Sequence, residues 1–391
     1  MSLEFQFIPT ALPIAPRPIH DELLSSWLHR VADANALSLG ELLESARWQH
    51  LPGLTTVLDY GLSIAWRTRL AAFCRIPESW LRLIDLQCQF PCRNLTWFAH
   101  GPVLLRSPGE PAIQLRRPFC VGCGEEQRTF RGPTYIRAEW ALAFRTHCPR
   151  HLTPLIDQCG SCRTITFPYW ADGRFCCTQC HVTLKATHTV ADSSSLRAVV
   201  RLQETIHGCF LGKHPEPHWF GVVSASRFLH VVGELIRILL YQASPGFVLA
   251  DLLVPDEFRR RYNVGGRFLD PRFCSLPWFA RFLVVTALNE LVLAFAPIAV
   301  GRPAPRVAMG HLLNAFFGLL PSEQKADIFN RIDGWPPALK TAFHHAATMA
   351  QRPAIHRSFS PVVKYNTRPG RERHSTGLVQ RIHIVETDST R

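Results

Sequence analysis

The feature that most constrains this chain is a series of four residue pairs, each with two residues between its members, spread over residues 120–180. Three are CxxC pairs and one is a CxxH pair. A tetrahedral zinc ion takes four Cys or His ligands, so two such pairs can supply one ion. The spacing therefore predicts two zinc sites. The first set is Cys120, Cys123, Cys148 and His151, and the second is Cys159, Cys162, Cys177 and Cys180.

Two choices of ligand stay open in this pattern. Cys176 adjoins Cys177 and is an alternative to it, although the spacing of a hairpin favours Cys177. His147 and His181 are competing donors beside the predicted sets. Each set supplies four ligands and closes the metal shell, whereas a catalytic zinc site keeps one position for water. We therefore predict two structural zinc ions and no catalytic residue at either.

The charge balance indicates a polyanionic partner. The 391 residues include 43 Lys and Arg against 30 Asp and Glu, which gives a net charge of +13. With 47% hydrophobic and 19% charged residues, the chain is otherwise typical of globular proteins. A strongly basic globular protein favours nucleic acid as its partner. The length exceeds the ~250–300 residues of a single hydrophobic core, which predicts more than one domain.

The sequence predicts a cytoplasmic protein with no membrane partner. Residues 1–18 lack a basic segment followed by a long apolar stretch, so they do not resemble a secretory signal. Thirteen cysteines in a reducing compartment favour metal ligation over disulfides. The most apolar stretch, residues 282–300, carries Asn289 and Glu290 near its centre, and we interpret it as a core helix.

Apolar spacing predicts an N-terminal helical domain over residues 1–110. Its first helix contains apolar residues at i, i+3, i+4 and i+7, which are Leu24, Trp27, Leu28 and Val31. Ser38 and Glu41 form an S-x-x-E capping box that begins a second helix. Two short helices joined by a tight turn resemble a helix-turn-helix. Further helices are predicted over residues 64–73 and 77–86.

The rest of the chain divides into three parts. Residues 111–190 form a tandem zinc-binding region, in which alternation at Trp140, Leu142 and Phe144 predicts short strands. Residues 191–350 form an all-α domain, and residues 351–391 form a basic tail that is predicted to be disordered. Helices are predicted over 279–295, 307–319 and 338–350, and another buries Phe228, Val232, Leu235 and Leu239 on one face. The predicted fold is thus mainly α, with a helix-turn-helix-like N-terminal domain, a tandem zinc-ribbon insertion with short strands, and a C-terminal all-α domain.

Two enzymatic interpretations fail on spacing. A zinc deaminase carries a P-C-x-x-C motif, but Pro118 stands one residue too early before Cys120, and the remaining ligands already complete the site. A phosphate-binding loop has the form G-x-x-x-x-G-K-[ST], whereas Gly208 and Gly212 enclose one residue too few and His214 replaces the hydroxyl. The sequence therefore predicts a protein that is not an enzyme.

Two stretches of the chain are similar to the TniQ family, and together they span about residues 12–165. In the first, a proline-rich lead runs into a helix, through Pro16, Pro18, Glu22, Leu24, Ser26, Trp27, Leu28, Arg30, Ala32, Asn35 and Ser38. The second follows the family's order through Cys120, Cys123, Tyr135, Arg137, Trp140, Cys148, Pro149, His151, Leu155, Cys159 and Cys162. Leu23 stands where the family usually has Ser, and Val121 where a Pro often follows the first Cys.

This resemblance implies a non-enzymatic accessory role in bacterial DNA transposition. A protein of this kind would act in target-site selection, linking target DNA or a targeting complex, such as a CRISPR effector complex, to an AAA+ ATPase regulator and a DDE transposase. A second copy of the chain is another candidate partner. The residues alone also allow a stand-alone helix-turn-helix and zinc-ribbon transcription regulator. For direct DNA contact, the candidate phosphate partners are Arg47, Arg67 and Arg69.

Overall fold

The structure is a computed structural model, and helices predominate in the part of the chain that it describes. The described residues are 11–45, 58–90, 95–100, 104–107, 110–112, 115–130, 132–162, 164, 168–171, 174–177, 179–185, 193–215, 224–244, 247–255, 258, 272–295, 313–314, 317–318 and 320–351. Of the sequence predictions, Arg47, most of the helix over 307–319 and residues 352–391 of the tail lie outside these ranges.

Helix α1 (Leu24–Ala34) buries the apolar face that its spacing predicts. The side chains of Trp27, Leu28 and Val31 are fully buried, since the i, i+3, i+4 spacing puts them on one side of the helix. The helix ends at Asn35, whose amide Nδ2 donates to the carbonyl oxygen of Val31 at 2.7 Å. This side-chain bond satisfies one of the carbonyls that a helix end leaves without a partner.

Helix α2 (Leu39–Ser45) begins at the predicted capping box. The backbone N–H of Glu41 donates to Ser38 Oγ at 3.2 Å, and the backbone N–H of Ser38 donates to Glu41 Oε2 at 2.7 Å. The pair satisfies two N–H groups that would otherwise lack partners in the first turn. Helices α1 and α2 are therefore joined by the tight turn that the sequence predicts.

Helices α3 (Ile64–Cys74) and α4 (Glu78–Ile84) follow, and a one-turn helix α5 (Leu86–Gln89) continues from them. Arg75, the residue after α3, has a left-handed φ of 54°, and its backbone N–H donates to the carbonyl oxygens of Ala71 and Ala72. Apolar side chains of α1 to α4 pack into one cluster. This cluster is the hydrophobic core that these helices share.

The middle of the chain contains short antiparallel hairpins around one helix. Strand β1 (Leu104–Ser107) pairs with β2 (Glu110–Ala112). Helix α6 (Val121–Thr129) follows, and then β3 (Pro168–Ala171) pairs with β4 (Arg174–Cys177). An isolated two-stranded hairpin is only marginally stable in water, so this region depends for its stability on packing against other parts of the chain.

The strand predicted at Trp140, Leu142 and Phe144 is absent from this described segment. The chain instead forms a 3₁₀ turn over Ala138–Ala141 and continues without regular structure. Residues 140–148 are all buried, so alternation between apolar and polar positions carries no information about a solvent-facing side. Neighbouring segments satisfy the backbone instead, as when the N–H of Ala143 donates to the carbonyl oxygen of Trp97 at 2.7 Å.

Helix α7 (Ser194–Phe210) packs against the zinc-ligand region. Its Gln203 Oε1 accepts from the backbone N–H of Thr146 at 3.1 Å. Its Glu204 pairs with Arg145, a fully buried guanidinium that also lies 2.7 Å from Glu139. A buried charge of this kind is stable only when it is paired, so α7 is bound to the segment just before the turn that carries Cys148 and His151.

The chain divides into two compact units, and the predicted boundary at residue 190 lies inside the first. The first unit comprises Met1–Glu216, Val223–His230 and Arg272–Val285, and the second comprises Pro217–Val222, Val231–Pro271 and Thr286–Arg391. Helix α7 belongs to the first unit because of the contacts with the zinc-ligand region. The sequence assigns it to the C-terminal domain, since its apolar face does not reveal what covers that face.

The described residues of the second unit are mainly helical, and they include a short hairpin. In chain order, the elements that lie wholly or partly in it are α8 (Ala225–Leu239), β5 (Gln242–Ser244), β6 (Phe247–Val248), α9 (Leu249–Leu253), α10 (Trp278–Phe295), α11 (Ser322–Arg331) and α12 (Pro337–Gln351). The predicted apolar face of α8 is buried. Arg331 lies 3.3 Å from Glu234 and 2.8 Å from Asp327, which ties α11 to α8.

Helix α10 matches the most apolar stretch of the sequence. Asn289 near its centre is buried within the protein. Among the described residues, no helix combines the length and the apolar character that crossing a membrane would require.

Candidate metal centres and nucleic-acid interface

The first predicted ligand set meets at the start of α6. Cys120 is the residue before that helix, and its sulfur accepts from the backbone N–H of Cys123 at 3.5 Å. Cys148 and His151 lie on a tight turn, where the N–H of Leu152 donates to the carbonyl oxygen of Cys148 at 2.9 Å. Each CxxC or CxxH pair therefore occupies one turn, and the fold brings the two turns together.

The separations between these four ligand atoms match a tetrahedral zinc site. His151 Nδ1 lies 3.5 Å from Cys120 Sγ, 3.4 Å from Cys123 Sγ and 3.5 Å from Cys148 Sγ. The Sγ atoms of Cys123 and Cys148 are 3.5 Å apart. Zinc bonds of ~2.3 Å to sulfur and ~2.0 Å to nitrogen place the corners of a tetrahedron about 3.5–3.8 Å apart. The residues therefore fit a zinc ion with three thiolates and one imidazole.

Proton sharing prepares one thiol of this cluster for metal binding. The hydrogen bond with Cys123 lowers the pKa of the Cys120 thiol to about 3, and the same bond raises the pKa of Cys123. The thiolate is the form that binds a metal ion, so zinc binding at this cluster releases the retained protons.

Glu126 on α6 orients the imidazole of His151. The carboxylate Oε1 lies 3.2 Å from His151 Nε2, the ring nitrogen that faces away from the sulfurs. Arg150 in turn lies 3.0 Å from Glu126 Oε2. A carboxylate at the outer nitrogen favours the proton there and leaves Nδ1 free to bind metal. The sequence analysis missed Glu126, because an acidic residue on a short helix gives no local sign of its partner.

Two glycines of the C-V-G-C-G segment allow close packing at this site. A Cβ atom on Gly122 would lie 2.9 Å from His151 Cδ2, and one on Gly124 would lie 1.8 Å from Phe175 Cε2. Phe175 belongs to β4, which carries a ligand of the second set. The glycines were also missed from the sequence, although two glycines alternating with a ligand cysteine are a detectable sign of close approach.

The second ligand set meets between a turn and the β3–β4 hairpin. Cys159 Sγ lies 3.6 Å from Cys180 Sγ, and Cys162 Sγ lies 3.7 Å from Cys177 Sγ. The N–H of Gln179 donates to Cys177 Sγ at 3.3 Å. Hydrogen bonding from Thr164 lowers the pKa of the Cys162 thiol. Four thiolates at these separations also fit a tetrahedral zinc ion, with no position left for water.

The alternative ligands differ in whether they lie in one of the two clusters. Cys177 lies in the second cluster, and Cys176 does not, since successive side chains of a strand point to opposite faces. His147 packs against the rings of Trp278 and Phe282, and burial lowers its pKa to about 3, which keeps it neutral. His181 lies outside both clusters. The two sets predicted from spacing are therefore the sets that the fold brings together.

The three arginines that were predicted to contact DNA phosphates differ in their surroundings. Arg47 lies outside the described residues. Arg67 lies 3.2 Å from the buried Asp85 and 3.7 Å from Glu78, so its guanidinium is occupied within the protein. Arg69 is exposed and lies over the ring of Trp66 at 5.2 Å. Of the two described arginines, Arg69 is therefore the one whose guanidinium is presented to solvent.

A comparison with known protein families finds a match to part of the chain. Residues 13–155 match the family model TniQ, which confirms the resemblance found in the sequence. The match begins before α1 and ends four residues after His151, so it includes the first ligand set and stops before the second. No curated protein matches the chain.

Proposed function

We propose that this protein, which carries a TniQ domain over residues 13–155, is a non-enzymatic adaptor in the target-site selection of a DNA transposon. It would link target DNA, or a targeting complex bound there, to an AAA+ ATPase regulator and a DDE transposase. The family match carries this proposal, since TniQ proteins are accessory proteins of transposition. A CRISPR effector complex is one form that the targeting complex can take.

The chemistry of the two clusters supports a structural role for the metal. Zinc held by four protein ligands leaves no position for substrate or water, and it contributes its binding free energy to folding. Cys120, Cys123, Cys148 and His151 would hold one ion, and Cys159, Cys162, Cys177 and Cys180 the other. Such thiolate sites persist in a reducing compartment, which supports a cytoplasmic place of action.

The proposed DNA contact lies in the N-terminal helical part. The net charge of +13 favours a polyanion, and the exposed Arg69 on α3 is a suitable phosphate partner. Arg67 is less suitable, because contact with phosphate would require leaving the buried Asp85.

Protein partners are proposed to dock on the helical second unit. Its helices offer faces for helix-on-helix contact with an ATPase or with a second copy of the chain. Leu293 on α10 is half-exposed there, with 48% of its surface accessible.

A reconstituted transposition reaction tests the proposal. The full chain, supplied with an AAA+ ATPase regulator and a DDE transposase of the same transposon, should raise or redirect insertion and should hydrolyse no ATP alone. Insertion at the same sites and rate without the chain would contradict the adaptor role. Tight, sequence-specific binding of the chain alone to a palindromic operator, with no effect on insertion, would instead support the stand-alone transcription regulator.

A further inference from the structure

The two ligand clusters differ in how far their sulfur atoms are shielded from solvent. In the first cluster the cysteines are at most 4% exposed, and they are Cys120, Cys123 and Cys148. The ligand of this cluster that reaches the surface is His151, with 22% of its side chain exposed. In the second cluster Cys159 and Cys177 are buried, whereas Cys162 and Cys180 are partly exposed. Solvent therefore reaches two of the four cysteines of the second cluster, whereas those of the first are shielded.

The chain that follows each ligand pair explains this difference. After Cys123 the chain continues as α6, which packs closely against the ring of Phe175. Cys177 instead begins a surface turn, which closes where its backbone N–H donates to the carbonyl oxygen of Val182 at 3.0 Å. Val182 is 47% exposed, so the turn lies at the surface. Cys180 lies within this turn and is therefore partly exposed with it.

Each exposed sulfur of the second cluster has a buried sulfur beside it. Cys162 Sγ lies 3.7 Å from Cys177 Sγ, and Cys180 Sγ lies 3.6 Å from Cys159 Sγ. Oxidation of cysteine follows thiolate character and exposure, and zinc holds its cysteines as thiolates. A sulfenic acid that forms at an exposed cysteine condenses with a neighbouring thiol to a disulfide. The second cluster therefore combines an accessible thiolate with a sulfur that is placed to form this bond.

We propose that the second cluster is a site of reversible oxidation, at which hydrogen peroxide forms a disulfide and displaces the zinc ion while the first cluster keeps its own. The sulfur of Cys162 or Cys180 attacks one oxygen of the peroxide, the O–O bond breaks, and hydroxide leaves. The adjacent buried thiolate then attacks the oxidised sulfur, so the S–S bond forms, the S–O bond breaks and a second hydroxide leaves. The two sulfurs lose one electron each, and the peroxide gains both. The two thiolates that remain are fewer than the four ligands of a structural zinc ion, so the ion leaves.

Oxidation at this site changes the ligand turns of the second cluster and leaves the first cluster in place. Phe175 of β4 packs against the ring of Phe119 at 5.3 Å between centroids, a contact that does not involve the metal. The hairpin thus stays attached beside Cys120, while the turn from Cys177 to Val182 loses the ion that joins it to the other ligand turn. A thiol reductant reverses the disulfide by exchange, and zinc then rebinds. The site lies outside the family match, which ends at residue 155, so the proposal does not rest on the adaptor role.

Zinc release from the zinc-loaded full chain at graded concentrations of hydrogen peroxide tests this site. A zinc-binding dye follows the released metal by absorbance, and mass spectrometry of the alkylated, digested protein identifies the oxidised cysteines. We expect one of the two zinc ions to leave, together with formation of a disulfide within the second cluster. The three cysteines of the first cluster should still react with the alkylating reagent after denaturation. Dithiothreitol with added zinc should restore two ions per chain.

Cys88→Ser is the matched control, because Cys88 is an exposed thiol that lies outside both clusters. The release of zinc from this variant should follow the same curve as the wild type. Cys162→Ser is expected to carry only the ion of the first cluster. It should therefore release no zinc at the peroxide concentration that takes one ion from the wild type.

Several outcomes would overturn the proposal. They are release of both ions at the same peroxide concentration, a disulfide that contains a cysteine of the first cluster, retention of both ions when Cys88 is fully oxidised, and an untreated chain with no zinc at the second cluster. The transposition reaction separates this proposal from the adaptor role. If peroxide displaces no zinc while the chain still redirects insertion under reducing conditions, the oxidation site is wrong and the adaptor role stands.

Discussion

Glu126→Ala should weaken zinc binding at the first site while leaving the second site unchanged. The carboxylate lies 3.2 Å from His151 Nε2, so its removal takes away the acceptor that orients the metal-binding imidazole. Outer partners of metal ligands contribute about 10–100-fold to metal affinity. Because 33% of the Glu126 side chain and 22% of His151 are exposed, water replaces part of the lost bond. We therefore expect about a tenfold loss, or ~1.4 kcal/mol.

Zinc release into graded concentrations of a chelator, followed by absorbance, measures this loss. The second cluster is an internal reference, since its four thiolates do not contact Glu126. One of two zinc ions should then leave the variant at about a tenfold lower chelator concentration. Glu126→Gln keeps an oxygen acceptor. The chelator concentration at which it releases this ion should therefore lie between the values for Glu126→Ala and the wild type.

Two neighbouring variants serve as controls for this experiment. Glu125→Ala removes the same charge from an adjacent exposed position of α6. Arg150→Ala removes the exposed partner of Glu126, and a surface ion pair contributes little. Both controls should release zinc as the wild type does. If Glu126→Ala and Glu125→Ala give superimposable curves, the orienting role of Glu126 is refuted.

Gly124→Ala should lower the free energy of unfolding by about 1–3 kcal/mol in a denaturant titration, because its Cβ would lie 1.8 Å from the ring of Phe175. An unchanged free energy of unfolding would show that Phe175 can shift away from this position without cost. Elemental analysis should find two zinc ions per wild-type chain and about one per chain of Cys162→Ser. Two zinc ions per chain in the variant would show that Cys162 is not a ligand. Arg69→Ala should reduce the salt dependence of DNA binding by about one phosphate contact. Arg67→Ala should leave that slope unchanged and lower the unfolding temperature, because it removes the cation that pairs with the buried Asp85. A reduced slope in Arg67→Ala and an unchanged slope in Arg69→Ala would show that Arg67, and not Arg69, contacts the phosphate.

Much of the fold and of the metal centres could be predicted from sequence, because those features depend on local spacing. The turn geometry of a CxxC or CxxH pair involves four consecutive residues, and a tetrahedral ion then limits how two pairs combine. The capping box of α2 and the buried face of α1 are local in the same way. These predictions needed no knowledge of what each element packs against.

Other features could not be predicted, because they depend on contacts between residues that are distant in sequence. Arg67 and Arg69 look alike in sequence, yet only Arg67 is within reach of Asp85, which is 18 residues away. The alternation at Trp140 predicted a strand with one buried face and one solvent-facing face. Residues 140–148 are all buried, so the alternation does not reflect such a strand.

The sequence by itself indicated the two Cys and His sets, the main helices and the resemblance to the TniQ family, since each depends on residue types at short, regular spacing. Only the tertiary structure decided that Glu126 meets His151 and that α7 belongs with the zinc-ligand region. Helix periodicity shows which side of an element is buried but not which other element covers it. Electrostatic pairing depends on separations of a few ångströms between side chains that only the folded chain brings together.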